Sequence, residues 1–130
     1  MMLITRDQMT RFDAAVFDAF TDRLADFVRE RCGAPHGWQP ALVPEDPAEL
    51  RRQVRAHLAR AQGYGIRDQD ALAVFVSLAF SYSPRFDSLP GAHALLRDEA
   101  RTPDERVFSL LDVVVAAERR RRIPAHLQRR

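Results

Sequence analysis

Histidines and a single cysteine are the residues of this chain best suited to metal binding or nucleophilic catalysis. The four histidines are spread over a loop, two predicted helices and the C-terminal segment: His36, His57, His93 and His126. No two of them have the spacing of zinc ligands, and lone histidines are usually solvated or singly hydrogen-bonded. Cys32 ends a predicted helix, where the helix dipole disfavours a thiolate. We therefore expect no metal, no cofactor and an unreactive, packed thiol.

The acidic residues show no pair with an evident acid–base role. Asp68 and Asp70 are close in sequence, but Asp68 is the predicted N-cap of a helix, where its carboxylate accepts a backbone N–H. Asp13 lies within the apolar side of the first predicted helix, and we expect a buried polar contact there, with an arginine as its suitable partner. The chain contains no glycine-rich phosphate loop and no nucleophile elbow. The sequence therefore favours a non-enzymatic protein.

The C-terminal end is strongly basic, with a cluster formed by Arg119, Arg120, Arg121 and Arg122. We interpret residues 1–118 as a helical bundle domain and residues 119–130 as a basic tail. Such a tail contacts phosphate groups through charge alone, which makes association with nucleic acid through the four arginines an alternative function. No recognition helix and no interleaved aromatic residues accompany the cluster, so a solvated tail is the favoured interpretation.

Hydrophobic residues recur at helical spacing through most of the chain, and the composition, 46% hydrophobic and 29% charged, is that of a globular protein. Caps and breakers divide the pattern into four main helices and one short helix. These predicted helices begin at Thr5, Pro47, Asp68, Gly91 and Pro103 and end near Gly33, Gln62, Tyr82, Asp98 and Arg121. The predicted fold is an all-α single domain, an orthogonal or up-down bundle of these helices.

The third predicted helix should lie at the centre, because only Ser77 and Ser81 are polar after its first turn. The first helix carries acidic residues on the side opposite its apolar residues: Asp18, Asp22, Asp26 and Glu30. We interpret them as a solvated face. Trp38 follows in a loop rich in glycine and proline, and we expect it to fold over the core, the alternative being an exposed anchor for a partner.

The last predicted helix is apolar around more than half of its circumference, although one small domain can fully surround only one helix. Two explanations stay open: this helix packs tightly against the third, or another subunit or protein covers it. We therefore predict a protein-binding function, adaptor or chaperone-like, whose partner is a different protein or a second copy in a homodimer. The candidate contact residues are aromatic or apolar: Trp38, Tyr64, Tyr82, Phe86, Phe108, Leu111 and Val115.

Roughly residues 54–113 resemble a pattern shared by a group of small bacterial proteins. The pattern comprises Arg60-Ala61, Tyr64-Gly65-Ile66, the apolar helix from Asp68 to Phe80, and the turn Pro84-Arg85-Phe86-Asp87, with Ser83 where the pattern has glycine. Proteins similar to these are often encoded beside genes of the type VI secretion system, including spike-tip and effector modules. The resemblance implies an accessory protein whose partner is a secreted effector or a spike component.

Cellular location follows from what the chain lacks. No segment approaches the roughly 20 apolar residues of a membrane-spanning helix, and the stretch from Met1 to Arg6 has no secretory signal. A single cysteine excludes an internal disulfide framework and fits a reducing compartment. The sequence therefore predicts a cytoplasmic protein without membrane contact.

Overall fold

Five α-helices account for most of the chain in the computed structural model, which describes residues 6–34 and 37–122, with side-chain surroundings for 15–34 and 37–120. The helices are α1 (Arg6–Cys32), α2 (Pro47–Gly63), α3 (Gln69–Ser81), α4 (Pro90–Leu96) and α5 (Pro103–Arg122), and short 3-10 turns occur at Pro40–Leu42 and Phe86–Ser88. The described residues include no strand, which confirms the predicted all-α single domain. The predicted contact of Asp13 lies outside the described side chains.

Capping residues set the helix bounds where the sequence indicated. The carboxylate of Asp46 accepts the Ala48 N–H at 3.4 Å, and that of Asp68 accepts the Ala71 N–H at 3.1 Å. Each satisfies a backbone donor that has no partner inside its helix. After α2 the chain turns through Gly65, whose φ of +86° is a left-handed conformation that favours glycine. The reversal brings α3 back along α2.

Helix α3 lies at the centre, in contact with α1, α2 and α5. Its buried side chains form the middle of the core: Ala71, Leu72, Phe75, Val76, Leu78, Ala79 and Phe80. Phe75 and Val76 are fully buried, and Phe75 meets the Phe86 ring at a centroid distance of 4.8 Å. Burial of each such side chain stabilises the fold by about 2 kcal/mol, so this helix contributes a large share of the hydrophobic free energy.

Hydrogen bonds and ion pairs show the directions of the helices. Asp18 of α1 pairs with Arg55 of α2 at 2.6 Å, and Asp22 pairs with Arg51 at 3.1 Å. These two helices are therefore antiparallel. The acidic side of α1 is solvated as predicted, because all four carboxylates are exposed, and two of them also pair with arginines of α2.

Helices α3 and α5 run in the same direction. The Asp104 carboxylate, in the first turn of α5, accepts the Asp68 N–H at 3.2 Å, which places the two N-termini side by side. Farther along, Val114 of α5 and Tyr82, the C-cap of α3, line one pocket. Helix α5 continues to Arg122, so the predicted boundary at residue 118 falls inside a helix.

Within the described residues, no helix is long and apolar enough to cross a membrane.

Candidate docking groove

An apolar groove runs over α3 between α1 and α5, and we call it the α1–α5 groove. Its floor consists of Ala73, Val74, Ser77, Leu78 and Ser81 of α3. Phe27 of α1 forms one wall, Leu111 and Val115 of α5 form the other, and Trp38 also lines it. The volume is about 300 Å³. The groove is the part of the central helix that the other helices leave uncovered.

Small side chains on α3 give the groove its depth. Ala73, Ser77 and Ser81 recur at intervals of four residues and therefore share one face of the helix. Their short side chains keep the floor low between the larger residues of the walls. The Ser81 hydroxyl also donates to the Cys32 Sγ at 3.4 Å, which joins the C-terminal ends of α3 and α1. The floor thus combines an open surface with a fixed backbone.

Large apolar side chains at the groove stay accessible to solvent. Phe27 is 43% exposed, and Phe108, one turn before Leu111 on α5, is 40% exposed. Trp38 is half-buried, and the Gln39 side chain next to it donates to the Tyr82 carbonyl at 2.7 Å. This hydrogen bond fixes the loop beside the groove. Contiguous exposed apolar surface of this kind marks interaction sites in soluble proteins.

The groove unites three of the seven residues predicted to contact a partner. Trp38, Leu111 and Val115 line it directly. Phe108 continues the same stripe of α5. The other three, Tyr64, Tyr82 and Phe86, lie in other parts of the structure. The expectation that Trp38 folds over the core agrees with its half-buried position against it.

Tyr82 belongs to a second, wider pocket between α4 and α5. This pocket, about 710 Å³, is also lined by Leu89, Leu95, Leu110 and Val113. Val113 is 57% exposed and Leu89 44%. The exposed apolar surface of α5 therefore lies on two sides of the helix, one at the α1–α5 groove and one at the pocket beside α4. Val107, Leu110 and Val114 lie in the core, as expected for a helix packed against α3, and coverage of the exposed flanks by another chain stays a prediction.

Phe86 has no exposed surface for a partner, which corrects its prediction as a contact residue, whereas the half-buried Tyr64 stays a predicted contact residue that also bonds within the fold. Phe86 is fully buried against Phe75. The Tyr64 hydroxyl donates to the Asp87 Oδ2 at 3.1 Å, and Arg60 binds the same carboxylate through its Nη2 at 2.9 Å. We call Arg60, Asp87, Tyr64 and His57 the Arg60 cluster.

The Arg60 cluster ties the end of α2 to the turn before α4. Besides binding Asp87, the Arg60 Nη2 donates to the Pro84 carbonyl at 2.7 Å. Burial raises the pKa of Asp87, but hydrogen bonds and charge attraction from Arg60, with the hydrogen bond from Tyr64, outweigh it and leave the pKa lowered. Asp87 is thus held as a carboxylate.

His57 is a buried member of this cluster, and of the two states expected for a lone histidine, solvated or hydrogen-bonded, it has the second. It is 7% exposed, and its ring meets Phe80 edge-on at 5.1 Å. Its Nδ1 lies 2.8 Å from the Arg60 Nη1, so the neutral ring accepts a hydrogen bond there. Burial and then the Arg60 charge lower the pKa of His57 to about 4. The imidazole is therefore uncharged at neutral pH.

Metal binding and thiol chemistry find little support in the part of the chain with described side chains. No group of three or more His, Cys, Asp or Glu side chains there could hold a metal ion. Cys32 is buried, and burial raises the pKa of its thiol in spite of the hydrogen bond from Ser81. A raised pKa lowers the thiolate fraction and with it the nucleophilicity.

No protein-family model, no curated protein and no solved structure matches this chain. Its functional assignment therefore rests on the geometry of the groove.

The arginines of the nucleic-acid alternative lie at the end of α5. Arg119 and Arg120 are exposed, while the side chains of Arg121 and Arg122 are outside the described set.

Sequence reasoning missed the Arg60 cluster, although its signal was present. Arg60, Tyr64 and Asp87 all belong to the pattern on which the resemblance depends. An arginine and an acidic residue 27 positions apart give no periodic signal that would pair them.

Proposed function

We propose that this protein is a non-enzymatic binding protein that receives an apolar segment of another polypeptide in the α1–α5 groove. The observation that carries the proposal is the uncovered face of α3 between Phe27 and Leu111. Trp38 borders the same surface. Tryptophan and other aromatic residues supply much of the binding energy at protein interfaces, particularly around a desolvated centre.

The chemistry of the groove suits a polypeptide better than a small polar ligand. Small-molecule sites place a few polar groups to fix the ligand's orientation. Here the polar groups of the lining are two serine hydroxyls and the Trp38 indole N–H, and the hydroxyl of Ser81 already binds Cys32. An apolar side chain therefore fits where a charged metabolite would lose its hydration without compensation.

An α-helix is the segment best matched to the groove. The walls belong to two helices packed on a third, and a further helix placed between them would cover the floor as in a helical bundle. Close packing requires helix axes about 8–10 Å apart, which small residues at the contact permit. The face of Ala73, Ser77 and Ser81 meets this requirement. Recognition of a helix in a groove uses apolar anchors at spacings of three and four residues.

The experiment uses a displayed library of helical peptides with varied apolar faces, selected on the full chain. Trp38 is the only tryptophan, so its fluorescence reports occupancy of the groove directly. We expect selected peptides to change this fluorescence and to lose at least about tenfold in affinity with Phe27→Glu, since a buried charge opposes docking.

The matched control is Val113→Glu, which adds the same charge at a more exposed apolar position on the other flank of α5. It should leave peptide affinity within about twofold. Phe27 is already 43% exposed, so its substitution is compatible with folding, and a melting curve checks this. Loss of binding in the Val113 variant alone would transfer the function to the α4–α5 pocket and overturn the proposal.

The cellular setting that we propose is the cytoplasm, with a partner from a secreted effector or its delivery apparatus. Its support is the sequence pattern around Arg60, Tyr64 and Phe86. Co-purification with the products of neighbouring genes, using the wild type and Phe27→Glu, tests this setting. A neighbour that binds both chains equally would contradict docking in the groove.

A further inference from the structure

We propose that residues 123–127 of this chain, Ile-Pro-Ala-His-Leu, occupy the α1–α5 groove as an extended segment that a partner's segment has to displace. We call residues 123–127 the IPAHL segment, and they follow the part of the chain that the structure describes. The proposal rests on the proposed function, because it describes how access to the same groove is regulated. Its support is the side of α5 on which the helix ends, the reach of the segment and the order of its residues.

Helix α5 ends on the side that faces the groove. Its last residue, Arg122, follows Val115 by seven residues and Leu111 by eleven. With about 3.6 residues per turn, each of these two positions lies within about 20° of Arg122 around the helix axis. The α5 residues that line the pocket beside α4 are about 80° to 180° away from Arg122: Leu110, Val113 and Val114. The chain therefore leaves α5 next to the α1–α5 groove.

The IPAHL segment is long enough to return to the groove. With a rise of about 1.5 Å per residue, Val115 and Leu111 lie about 10 Å and 16 Å back along the helix from Arg122. An extended chain advances about 3.3 Å per residue, so Ala125 and Leu127 can lie about 10 Å and 16 Å from Arg122. A turn that uses two residues still brings Leu127 level with Val115. The reach therefore covers the part of the groove beside α5.

Glu118 lies on the path between Arg122 and Val115. It follows Leu111 by seven residues, so it shares the groove side of α5, and its side chain is buried. A buried carboxylate needs a partner, and Glu118 has an interaction partner. It therefore presents no unpaired charge to the apolar residues of the segment.

A proline and an alternating sequence favour an extended course after α5. Pro124 lacks a backbone N–H, and it disfavours the helical conformation in the residue before it, Ile123. From there on, apolar residues alternate with other residues: Ile123, Ala125 and Leu127 with Pro124, His126 and Gln128. In an extended chain alternate residues share one side, so the three apolar residues form one face. Such a face suits a segment that has an apolar surface on one side and water on the other.

The groove offers an apolar site to this face of the segment. Phe27 on one wall is 43% exposed, and Leu111 and Val115 on the other wall are half-buried. Burial of Ile123 and Leu127 there favours docking, whereas the ordering of the segment opposes it. Attachment to α5 raises the effective concentration of the segment at the groove. We therefore expect a docked segment that is held weakly enough for a partner to displace.

The segment's own groove is a better site for it than the groove of a second copy. Within one chain the segment adjoins the groove at every protein concentration, whereas an exchange between two copies requires their association. A partner then binds only chains whose groove is open, so its apparent affinity falls in proportion to the open fraction. The IPAHL segment thus sets how tightly the protein binds its partner.

The first test measures the emission of Trp38, which lines the groove, in the full chain without any peptide. Ile123→Ser combined with Leu127→Ser removes the apolar face of the segment. Water should then reach the indole more freely, so the emission should move to longer wavelengths and acrylamide should quench it more strongly. The matched control is His126→Ser combined with Gln128→Ser, which changes the opposite face and should leave both signals unchanged. An equal response in the control would contradict docking through the apolar face.

Two further variants locate the docked segment. In Phe27→Glu, where the added charge opposes docking in the groove, the two serine substitutions should have no additional effect on Trp38 emission. In Val113→Glu, at the pocket beside α4, their effect should persist. A melting curve checks that each variant is folded. An effect that Val113→Glu abolishes and Phe27→Glu preserves would place the segment in the other pocket and overturn the inference.

The affinity for groove peptides provides the second test. Peptides selected on the full chain should bind the variant with both Ile123→Ser and Leu127→Ser about threefold to tenfold more tightly than the wild type. Such a gain corresponds to a groove that the segment fills in about 70–90% of the chains. The control with His126→Ser and Gln128→Ser should bind the peptides as the wild type does.

The outcomes separate this inference from the proposed function. If peptides that depend on Phe27 bind, but the serine substitutions change neither emission nor affinity, the inference is overturned and the proposed function stands. If the emission changes but no such peptide is found, the proposed function is overturned and docking of the segment is supported. A dimer that the serine substitutions abolish, with emission that depends on protein concentration, would assign the segment to the groove of a second copy and overturn docking within one chain.

Discussion

Arg60 and Asp87 form an ion pair with an Nη2–Oδ1 distance of 2.9 Å and side chains that are 25% and 8% exposed, respectively. The pairs of Arg29 with Asp26, Arg51 with Asp22, Arg52 with Glu49, Arg55 with Asp18 and Arg101 with Asp98 are more exposed. A buried carboxylate that loses its charge leaves the arginine uncompensated, and removal of one partner from such a pair is strongly destabilising. The pair therefore fixes the turn before α4 to the end of α2.

The first prediction concerns this pair. Asp87→Asn should lower the free energy of unfolding by about 2–3 kcal/mol, since Arg60 keeps partial solvent access. Asp18→Asn, which breaks the pair of Asp18 with Arg55, should cost less than about 1 kcal/mol because both side chains are about half exposed. Urea denaturation measures both. Equal losses of unfolding free energy in the two variants would show that burial of the Arg60–Asp87 pair does not increase its contribution to stability.

The pH dependence of the unfolding free energy should reveal the protonation of His57. Its pKa falls from the ordinary value of 6.5 to about 4 in the folded chain, so the unfolded state binds more protons between these values. The stability contributed by His57 is therefore complete above about pH 6.5 and is lost as the pH falls toward 4, up to about 3 kcal/mol.

His57→Gln isolates this contribution, since an amide can still accept from Arg60 and does not titrate. Unfolding free energies at pH 4.5 and 7 should differ less in His57→Gln than in the wild type, by about 2 kcal/mol. His93→Gln changes an exposed imidazole and serves as the control. An unchanged difference in His57→Gln would contradict a neutral, buried His57.

Alanine substitutions at two glycines, two residues apart, should change the stability of the fold in opposite directions. Gly65 has a φ of +86°, and an added Cβ would lie 3.2 Å from the Pro103 Cγ, so Gly65→Ala should destabilise the fold by about 1–2 kcal/mol. Gly63 ends α2 with open space around it, and Gly63→Ala should stabilise the helix by about 0.5 kcal/mol. Thermal unfolding distinguishes them. A gain of stability in both variants would exclude a strained backbone in the Gly65→Ala variant.

The nucleic-acid alternative can be separated from docking in the groove. If the arginine cluster binds phosphates, affinity for a labelled duplex should fall steeply between 50 and 200 mM salt and weaken with Arg120→Gln, Arg121→Gln and Arg122→Gln combined. We expect the same triple substitution to leave affinity for a groove peptide within about twofold, because the lining of the groove on α5 consists of Leu111 and Val115. Fluorescence anisotropy measures both. If the triple variant loses peptide binding, and if duplex binding by the wild type falls steeply with salt, the nucleic-acid function would be favoured.

The local elements of this protein follow from short-range sequence signals. Asp46-Pro47, Asp68 and Gly65 set the bounds of α2 and α3 through hydrogen bonds and a backbone conformation that involve only nearby residues. The apolar sequence of α3 likewise predicted its central position, because a helix without a polar face has no side to turn to solvent. These features needed no knowledge of long-range contacts.

The tertiary structure alone decided what those elements form together. That Phe86 lies in the core and Phe108 at the surface cannot be deduced from hydrophobicity, since the buried Phe86 stands between Arg85 and Asp87 and the exposed Phe108 stands in an apolar stretch of the sequence. The pairing of Arg60 with Asp87 and the convergence of Trp38, Val115 and Ser77 depend on how helices pack. A sequence specifies the period of each helix through local sterics and capping. The neighbour that each face meets is set by packing between residues that are distant in the chain.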